Sequence, residues 1–161
     1  MALHMKWSDR SKQLLPTGEQ AWGTVLEFLR HRYVREKQHA MRYRQHAERI
    51  DPQFRDTLIR MAAEEEQHAA SIGARIRDLG EKLPDVIPIH VAREDNSWSY
   101  LRTDLDEEQR CRGELSDLPA VSGDFPEIVD LLQRMDTDSQ SHRAKLREML
   151  ERSVPQSVGP P

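Results

Sequence analysis

The feature that most constrains this chain is a stripe of apolar side chains that repeats with helical spacing in four separate segments. Within each segment the apolar residues recur at alternating steps of three and four, which places them on one face of an α-helix. The stripes cover residues 22–50, 54–79, 101–115 and 128–149. A capping-box sequence, Thr17-Gly18-Glu19-Gln20, predicts that the first helix begins at Thr17. We therefore predict an all-α fold of four amphipathic helices.

The segments between the stripes predict how the helices are connected. Asp51 fits an N-cap and Pro52 the first position of the second helix, so the first two helices are predicted to be antiparallel neighbours. The segment between Gly80 and Ser97 contains two prolines and spans roughly 50 Å when extended at about 3.3 Å per residue. We predict two antiparallel hairpins joined by this long crossover. The bundle is expected to occupy residues 17–152, between an extension (residues 1–16) and a flexible tail (residues 153–161).

Composition limits the class of protein. Charged residues make up 32% of the chain and the net charge is only -4, with acids and bases interspersed, which argues against nucleic acid as a partner. No apolar run approaches the roughly 18 residues of a membrane span. The N-terminus has no hydrophobic signal core, so we expect a cytoplasmic protein. The single cysteine, Cys111, excludes an intramolecular disulfide and a zinc or iron–sulfur site built on cysteines.

Every apolar stripe is interrupted by polar residues near its middle. These positions are Glu36, then Glu65 and His68, then Glu108, then Ser139 and His142. An unpaired carboxylate in a bundle core costs several kcal/mol, unless the buried groups pair with each other or with a cation. Glu36 precedes Asp51 by nearly the same number of positions as Glu65 follows it, so both fall at nearly the same height of an antiparallel pair.

The two hairpins also resemble copies of each other. The second stripe maps onto the fourth with a constant offset in residue number, which places Glu65 on Ser139 and His68 on His142. A nearly equal offset maps the first stripe onto the third and places Glu36 on Glu108. A bundle with this internal symmetry would bring all the polar positions into one central layer.

Carboxylate and imidazole groups are suitable ligands for Fe²⁺ or Mn²⁺, and a Glu-x-x-His pair presents both on one helix face. Glu36 followed by Tyr43, and AAEEEQHA around Glu65 and His68, resemble the rubrerythrin branch of the ferritin-like superfamily over roughly residues 17–152. The resemblance implies a ferritin-like four-helix bundle with two iron ions, a single iron or manganese being alternatives. It implies oxidoreductase chemistry on Fe²⁺ with dioxygen or peroxide as substrate. The implied metal ligands are Glu36, Glu65, His68, Glu108 and His142.

Several residues leave the site open to other interpretations. Tyr43 fits either a core aromatic or a catalytic residue that hydrogen-bonds a ligand or donates an electron. Asp104 or Glu107 can replace Glu108 as the ligand from the third helix. His39 forms a second Glu-x-x-His pair with Glu36, one position off the stripe. Glu36 itself can instead pair with Arg32.

The fourth helix departs from the family pattern because Ser139 stands where a second bridging carboxylate is expected. Asp136 and Asp138 lie off the stripe and would need a helix distortion to reach inward. Glu64 and Glu66 are predicted to form an exposed acidic face.

The loss of a carboxylate favours a second hypothesis, a metal-free bundle that acts as a scaffold or interaction module. In that bundle Glu65 would pair with His142 and Arg112 would neutralise remaining acid. Both hypotheses are compatible with a homodimer, for which Trp7, Trp22 and Trp98 are candidate contacts.

Overall fold

The computed structural model describes residues 25–110 and 125–153, in which every regular element is an α-helix. The helices are α1 (Val25–Ala47), α2 (Pro52–Asp78), α3 (Ser97–Arg110) and α4 (Pro126–Arg152). This confirms the prediction of an all-α fold. The predicted start at Thr17, the extension 1–16, the third stripe beyond Arg110 with Cys111 and Arg112, and the tail after Ser153 lie outside the described residues.

The helix ends follow local sequence signals. The Asp51 carboxylate accepts a hydrogen bond from the Gln53 N–H at 3.0 Å, and Pro52 occupies the first turn of α2, as predicted. After α2, Gly80 adopts a φ of 78°. Its N–H bonds to the Arg77 carbonyl at 2.8 Å and the next N–H bonds to the Ile76 carbonyl at 3.2 Å, which forms a Schellman C-cap.

The crossover runs along the outside of α1. Near its start, Arg30 contacts Glu81 at 3.4 Å. Near its end, the Gln45 side chain accepts a hydrogen bond from the Val91 N–H at 3.1 Å, and Arg49 donates to the Val91 carbonyl at 3.2 Å. From Arg30 to Gln45 the axis of α1 extends about 22 Å at about 1.5 Å per residue. The crossover therefore spans most of the bundle, as the sequence predicts.

This path determines the helix directions. α3 starts beside the α1–α2 turn, where the Ser97 hydroxyl accepts a hydrogen bond from the Asp51 N–H at 2.9 Å. The end of α4 returns to the same end of the bundle, where Arg152 donates to the Gln53 side chain at 3.1 Å. Consequently α3 is antiparallel to α1, and α4 is antiparallel to α2.

The apolar core is divided into two clusters at opposite ends of the bundle. One cluster is centred on Phe28, Leu29, Ile72, Ile76, Phe125 and Leu132. The other is centred on Tyr43, Phe54, Leu58, Met61, Leu101 and Leu146. A layer of buried charged residues lies between them. Among the described residues, no helix has both the length and the apolar composition needed to cross a membrane.

Candidate metal centre

All five predicted ligands lie in the layer between the two apolar clusters, and the four helices all contribute. Glu36 comes from α1, Glu65 and His68 from α2, Glu108 from α3 and His142 from α4. Each is at most 8% exposed to solvent. Glu36 and Glu65 match in height because the antiparallel α1–α2 hairpin places residues equidistant from its turn at the same level. The sequence argument for Glu36 and Glu65 therefore predicts the observed layer.

Glu65 lies at the centre of this layer and faces a histidine on each side. Its Oε2 is 3.1 Å from His68 Nδ1, and its Oε1 is 3.0 Å from His142 Nδ1. Glu36 Oε2 also approaches His68 Nδ1, at 3.4 Å. Donor atoms around one divalent ion with bonds of about 2.1 Å are separated by about 3.0–3.5 Å for neighbouring ligands. Glu36, Glu65 and His68 thus have the spacing of a metal site.

A second group of donor atoms surrounds Glu108. Its Oε1 lies 3.7 Å from His142 Nδ1 and 3.7 Å from His39 Nδ1. Ligand atoms of His39, Glu65 and Glu108 all lie within 4.8 Å of one another. The Tyr43 hydroxyl donates a hydrogen bond to the same Glu108 oxygen at 2.6 Å. Glu65 belongs to both groups of donor atoms.

The outer nitrogens of the two histidines are held by carboxylates from the opposite helix. Asp138 on α4 bonds to His68 Nε2 at 2.9 Å, and Glu64 on α2 bonds to His142 Nε2 at 2.6 Å. These contacts fix both rings with Nδ1 turned toward Glu65, which is the usual arrangement around a histidine that ligates a metal. Sequence reasoning missed this role, although the offset that maps Glu65 onto Ser139 also maps Glu64 onto Asp138.

The position of Glu64 corrects the interpretation of the acidic run. Glu64 is not part of a merely solvated face, because its carboxylate bonds to the buried ring of His142. Glu66 is also half-buried and pairs with Lys37 and Arg44, so it does not form the predicted exposed acidic face either. Asp138 likewise reaches a histidine without any helix distortion, but it does not take the place of the missing carboxylate at Ser139.

The alternative ligands from α3 have other partners. Asp104 is buried one turn before Glu108, and its Oδ2 bonds to His46 Nδ1 at 2.9 Å. Glu107 pairs with Arg110 at 2.7 Å near the surface. Glu108 is therefore the acidic residue that α3 brings to Glu65.

Glu36 has the arginine partner that the sequence suggested as an alternative. Arg32 Nε lies 2.6 Å from Glu36 Oε1, and both side chains are buried. The other oxygen of Glu36, Oε2, faces His68. Glu36 can therefore pair with Arg32 and still belong to the polar layer. Asp136 remains peripheral, where its carboxylate accepts a hydrogen bond from Gln140 at 3.0 Å.

Electrostatics show how the layer is neutralised by protons. Burial lowers the pKa of His68 and His142, but the carboxylates of Glu36, Glu65 and Glu108 outweigh this effect and raise each pKa to about 10. Burial raises the pKa of Glu65, yet its close contacts with Glu36, His142 and His68 hold that pKa well below its usual value. Two imidazolium ions therefore supply the positive charge that metal ions can supply in their place.

Burial and neighbouring charges also shift the pKa values of Glu36, Glu108 and Tyr43. Burial and the charge of Glu65 raise the pKa of Glu36, against the effect of Arg32. The pKa of Glu108 is lowered because contacts with His142, His39 and Tyr43 outweigh its burial. Burial and nearby carboxylates raise the pKa of Tyr43, which keeps it a phenol at neutral pH.

Two buried polar atoms at the centre of the layer have no hydrogen-bond partner of acceptable geometry. They are Glu65 Oε1 and His142 Nδ1, which face each other. A buried polar group without a hydrogen bond costs about 1–3 kcal/mol. A cation bound between these atoms would satisfy both, so the residues present fit a metal ion.

Two solved structures share the architecture of this chain. A bacterioferritin from Desulfovibrio desulfuricans, described with a diiron site, is 18% identical with a TM-score of 0.66, over 91% of this chain and 83% of that chain. A ferritin-like, diiron-carboxylate protein from Bacillus anthracis str. Ames is 18% identical with a TM-score of 0.53, over 78% of this chain and 94% of that chain. No family model and no curated protein matches the chain. The chain thus has the ferritin-like four-helix fold, as predicted.

Proposed function

We propose that the chain is a rubrerythrin-like oxidoreductase that binds two metal ions, iron in preference to manganese, and reacts with dioxygen or peroxide. The observation that carries the proposal is the position of Glu65, whose two oxygens face histidines of two separate donor groups. The two structural neighbours described as diiron proteins support the choice of iron. The loss of the second bridging carboxylate at Ser139 leaves a single bound ion as the alternative stoichiometry.

The proposed roles follow from the two donor groups. Glu36, Glu65 and His68 would hold one ion, and Glu65, Glu108 and His142 would hold the other. Two ferrous ions held there would supply the two electrons that, with two protons, reduce dioxygen to hydrogen peroxide or peroxide to two molecules of water. The apolar clusters above and below the layer exclude bulk water from it.

Tyr43 is the proposed catalytic residue. Its hydroxyl donates to Glu108 Oε1, which fixes the carboxylate of one donor group. A buried phenol in this position can pass a proton or an electron to the layer without a rearrangement of the backbone. The high pKa of its hydroxyl keeps the proton available at neutral pH.

The proposal is tested by counting metal ions. The protein is purified without chelator, its bound metals are measured, and the metal-free protein is titrated anaerobically with Fe²⁺ before air is admitted. Uptake of one or two ions per chain, followed by oxygen consumption and ferric absorption in the near ultraviolet, supports the proposal. Absence of uptake, with an unchanged melting temperature, contradicts it.

The alternative function, a metal-free scaffold, is favoured by one observation. Arg32 pairs with Glu36 at 2.6 Å, and Glu65 approaches His142 at 3.0 Å, so the layer balances much of its own charge. In a scaffold, these two ion pairs would neutralise the layer permanently, and no metal ion would bind. The same Fe²⁺ titration separates the two functions.

A cytoplasmic homodimer remains part of the proposal. Among the tryptophans considered as contacts, Trp98 on α3 is partly buried within the chain, while Trp7 and Trp22 lie outside the described residues. Light scattering coupled to size-exclusion chromatography tests the dimer, and a monomer at micromolar concentration would contradict it.

A further inference from the structure

The geometry points to His39 as a fourth donor of the metal position around Glu108, so that the two metal positions differ in ligands and affinity. This inference rests on the proposed metal-binding function. The position around Glu108 would have two carboxylates and two imidazoles, from Glu65, Glu108, His39 and His142. The position around Glu36 would have two carboxylates and one imidazole, from Glu36, Glu65 and His68.

The placement of His39 suits a ligand of this position. The residue is buried, one turn after Glu36 on α1, but its ring turns toward Glu108 on α3. Its Nδ1 is 3.7 Å from Glu108 Oε1, the same distance as that of His142 Nδ1 from this oxygen. The two imidazoles thus approach Glu108 from two different helices. Ligand atoms of His39, Glu65 and Glu108 lie close enough together to share one ion.

The serine at position 139 leaves this position short of a donor. In the alignment of α2 with α4, Ser139 takes the place of Glu65, so the layer has one bridging carboxylate instead of two. The hydroxyl of Ser139 is a weaker donor for a hard cation than a carboxylate. An imidazole from His39 restores a donor to the position around Glu108 without adding negative charge. Imidazole also suits borderline cations such as Fe²⁺, Co²⁺ and Zn²⁺.

The residue one turn before each outer glutamate, Glu36 or Glu108, differs in charge between the two positions. Arg32 precedes Glu36 by one helical turn, and the offset that maps Glu36 onto Glu108 places Asp104 at the position of Arg32. The Arg32 guanidinium holds one Glu36 oxygen at 2.6 Å and must share it with, or yield it to, a metal ion. The acidic residue before Glu108 cannot compete in this way, and it is paired with His46. A cation therefore meets a competing arginine at the position around Glu36, whereas the residue one turn before Glu108 is acidic.

Two buried atoms without a hydrogen-bond partner, Glu65 Oε1 and His142 Nδ1, also lie at the position around Glu108. The corresponding atom on the other side, Glu65 Oε2, is hydrogen-bonded to His68. A cation at the position of His39 would therefore contact two atoms that now form only an ion pair with each other.

The test uses Co²⁺ alone, added to metal-free protein and followed by calorimetry and visible absorption. The wild type is expected to bind two ions in two resolved steps. His39→Gln should weaken the tighter step by about 10–100-fold, the range typical for loss of a supporting group at a metal site, and leave the weaker step within twofold. Glu36→Gln should abolish only the weaker step. Arg32→Gln should tighten the weaker step, because the guanidinium no longer competes for Glu36.

The matched control is His90→Gln, which removes an exposed histidine of the crossover and should leave both steps unchanged. If His39→Gln folds normally by circular dichroism and leaves both steps within twofold, His39 is not a ligand and the inference is wrong. Two equal steps in the wild type would contradict the non-equivalence. A wild type that binds no Co²⁺ would instead refute the proposed function itself.

A second variant decides the matter if His39→Gln does not fold. In His39→Cys, a thiolate at position 39 that coordinates Co²⁺ produces an intense near-ultraviolet charge-transfer band. His90→Cys serves as the control, and both variants carry the same background from Cys111. A band in His39→Cys above that of the control supports coordination at position 39. Equal spectra would overturn it.

Discussion

Replacement of Glu65 by glutamine tests the charge balance of the layer in the metal-free protein. Glu65 contacts His68 Nδ1 at 3.1 Å and His142 Nδ1 at 3.0 Å, and both imidazoles are protonated at pH 7. A glutamine has nearly the same shape, but it offers an oxygen to only one ring. Its NH₂ group then faces the N–H of the other ring, so two donors oppose each other. Glu65→Gln should therefore destabilise the metal-free bundle.

The magnitude follows from the contacts that remain. Breaking a buried ion pair costs about 3–5 kcal/mol, and a hydrogen bond to a charged group contributes about 1.5–3 kcal/mol. His68 keeps Asp138, and His142 keeps Glu64, so neither imidazolium is left without a carboxylate. We expect the free energy of unfolding to fall by about 3 kcal/mol. At about 2–4 °C per kcal/mol, the melting temperature should fall by about 6–12 °C.

The assay is urea and thermal unfolding at pH 7 in the presence of a chelator, followed by circular dichroism. The adjacent Glu66→Gln is the matched control: it removes only surface pairs with Lys37 and Arg44, which contribute about 0–1 kcal/mol. The difference between Glu65→Gln and the wild type should narrow above pH 10, where the imidazoles lose their charge. A Glu65→Gln protein at least as stable as the wild type at pH 7 would refute the reasoning. It would show that repulsion from the neighbouring carboxylates outweighs the attraction of Glu65 to His68 and His142.

Three further predictions follow from the same layer. Because the pKa values of His68 and His142 are raised to about 10 in the folded protein, from about 6.5 when unfolded, their stabilising contribution is complete below pH 6.5 and is lost as the pH rises through 10, which unfolding at several pH values can measure. Asp138→Asn weakens the hold on His68 Nε2 and should reduce Co²⁺ affinity by about 10–100-fold; calorimetry that finds no change would assign Asp138 to the surface alone. Tyr43→Phe should leave the number of bound ions unchanged but slow oxygen consumption after Fe²⁺ loading, and an unaltered rate in a stopped-flow oxygen assay would make the Tyr43–Glu108 hydrogen bond structural only.

The helices and the central layer are predictable from the sequence because their signals are local or depend on simple distances. Asp51, Pro52 and Gly80 act within one turn of the chain, and the structure places the ends of α2 where these residues predict them. The position of the turn between Glu36 and Glu65 is enough to predict that both residues lie at the same height in the bundle. Counting residues outward from Asp51 is therefore sufficient to place both in one layer.

The ligand from α3 is harder to predict because its height depends on a longer connection. Residue counts from the ends of the second hairpin leave both Asp104 and Glu108 possible. The structure resolves this through side-chain partners: Asp104 pairs with His46, while Glu108 reaches Tyr43 and His142. Such pairings across helices are not encoded in the periodicity of either helix.

The residues that sequence reasoning undervalued lie just beside the apolar stripes. Glu64 and Asp138 each immediately precede a stripe position, and His39 follows Glu36 by about one turn. A helix interface is wider than a line of single residues, so long side chains at its margin reach a partner helix across the groove. Burial patterns predict the stripe, but not which marginal side chain turns inward. The alignment of α2 with α4, which links Glu64 to Asp138, is the signal that finds this pair.

The two carboxylate–imidazole contacts between α2 and α4, Glu64 with His142 and Asp138 with His68, also fix the axial position of one helix relative to the other. Leucine and isoleucine stripes fix the axial alignment of two helices less strictly, since a shift by one turn replaces one methyl contact with another. A slip of α4 by one helical turn, about 5.4 Å along the axis, would break both carboxylate–imidazole bonds at once. The charged layer therefore selects one register for the bundle whether or not a cation is bound, as isolated polar groups do in coiled coils.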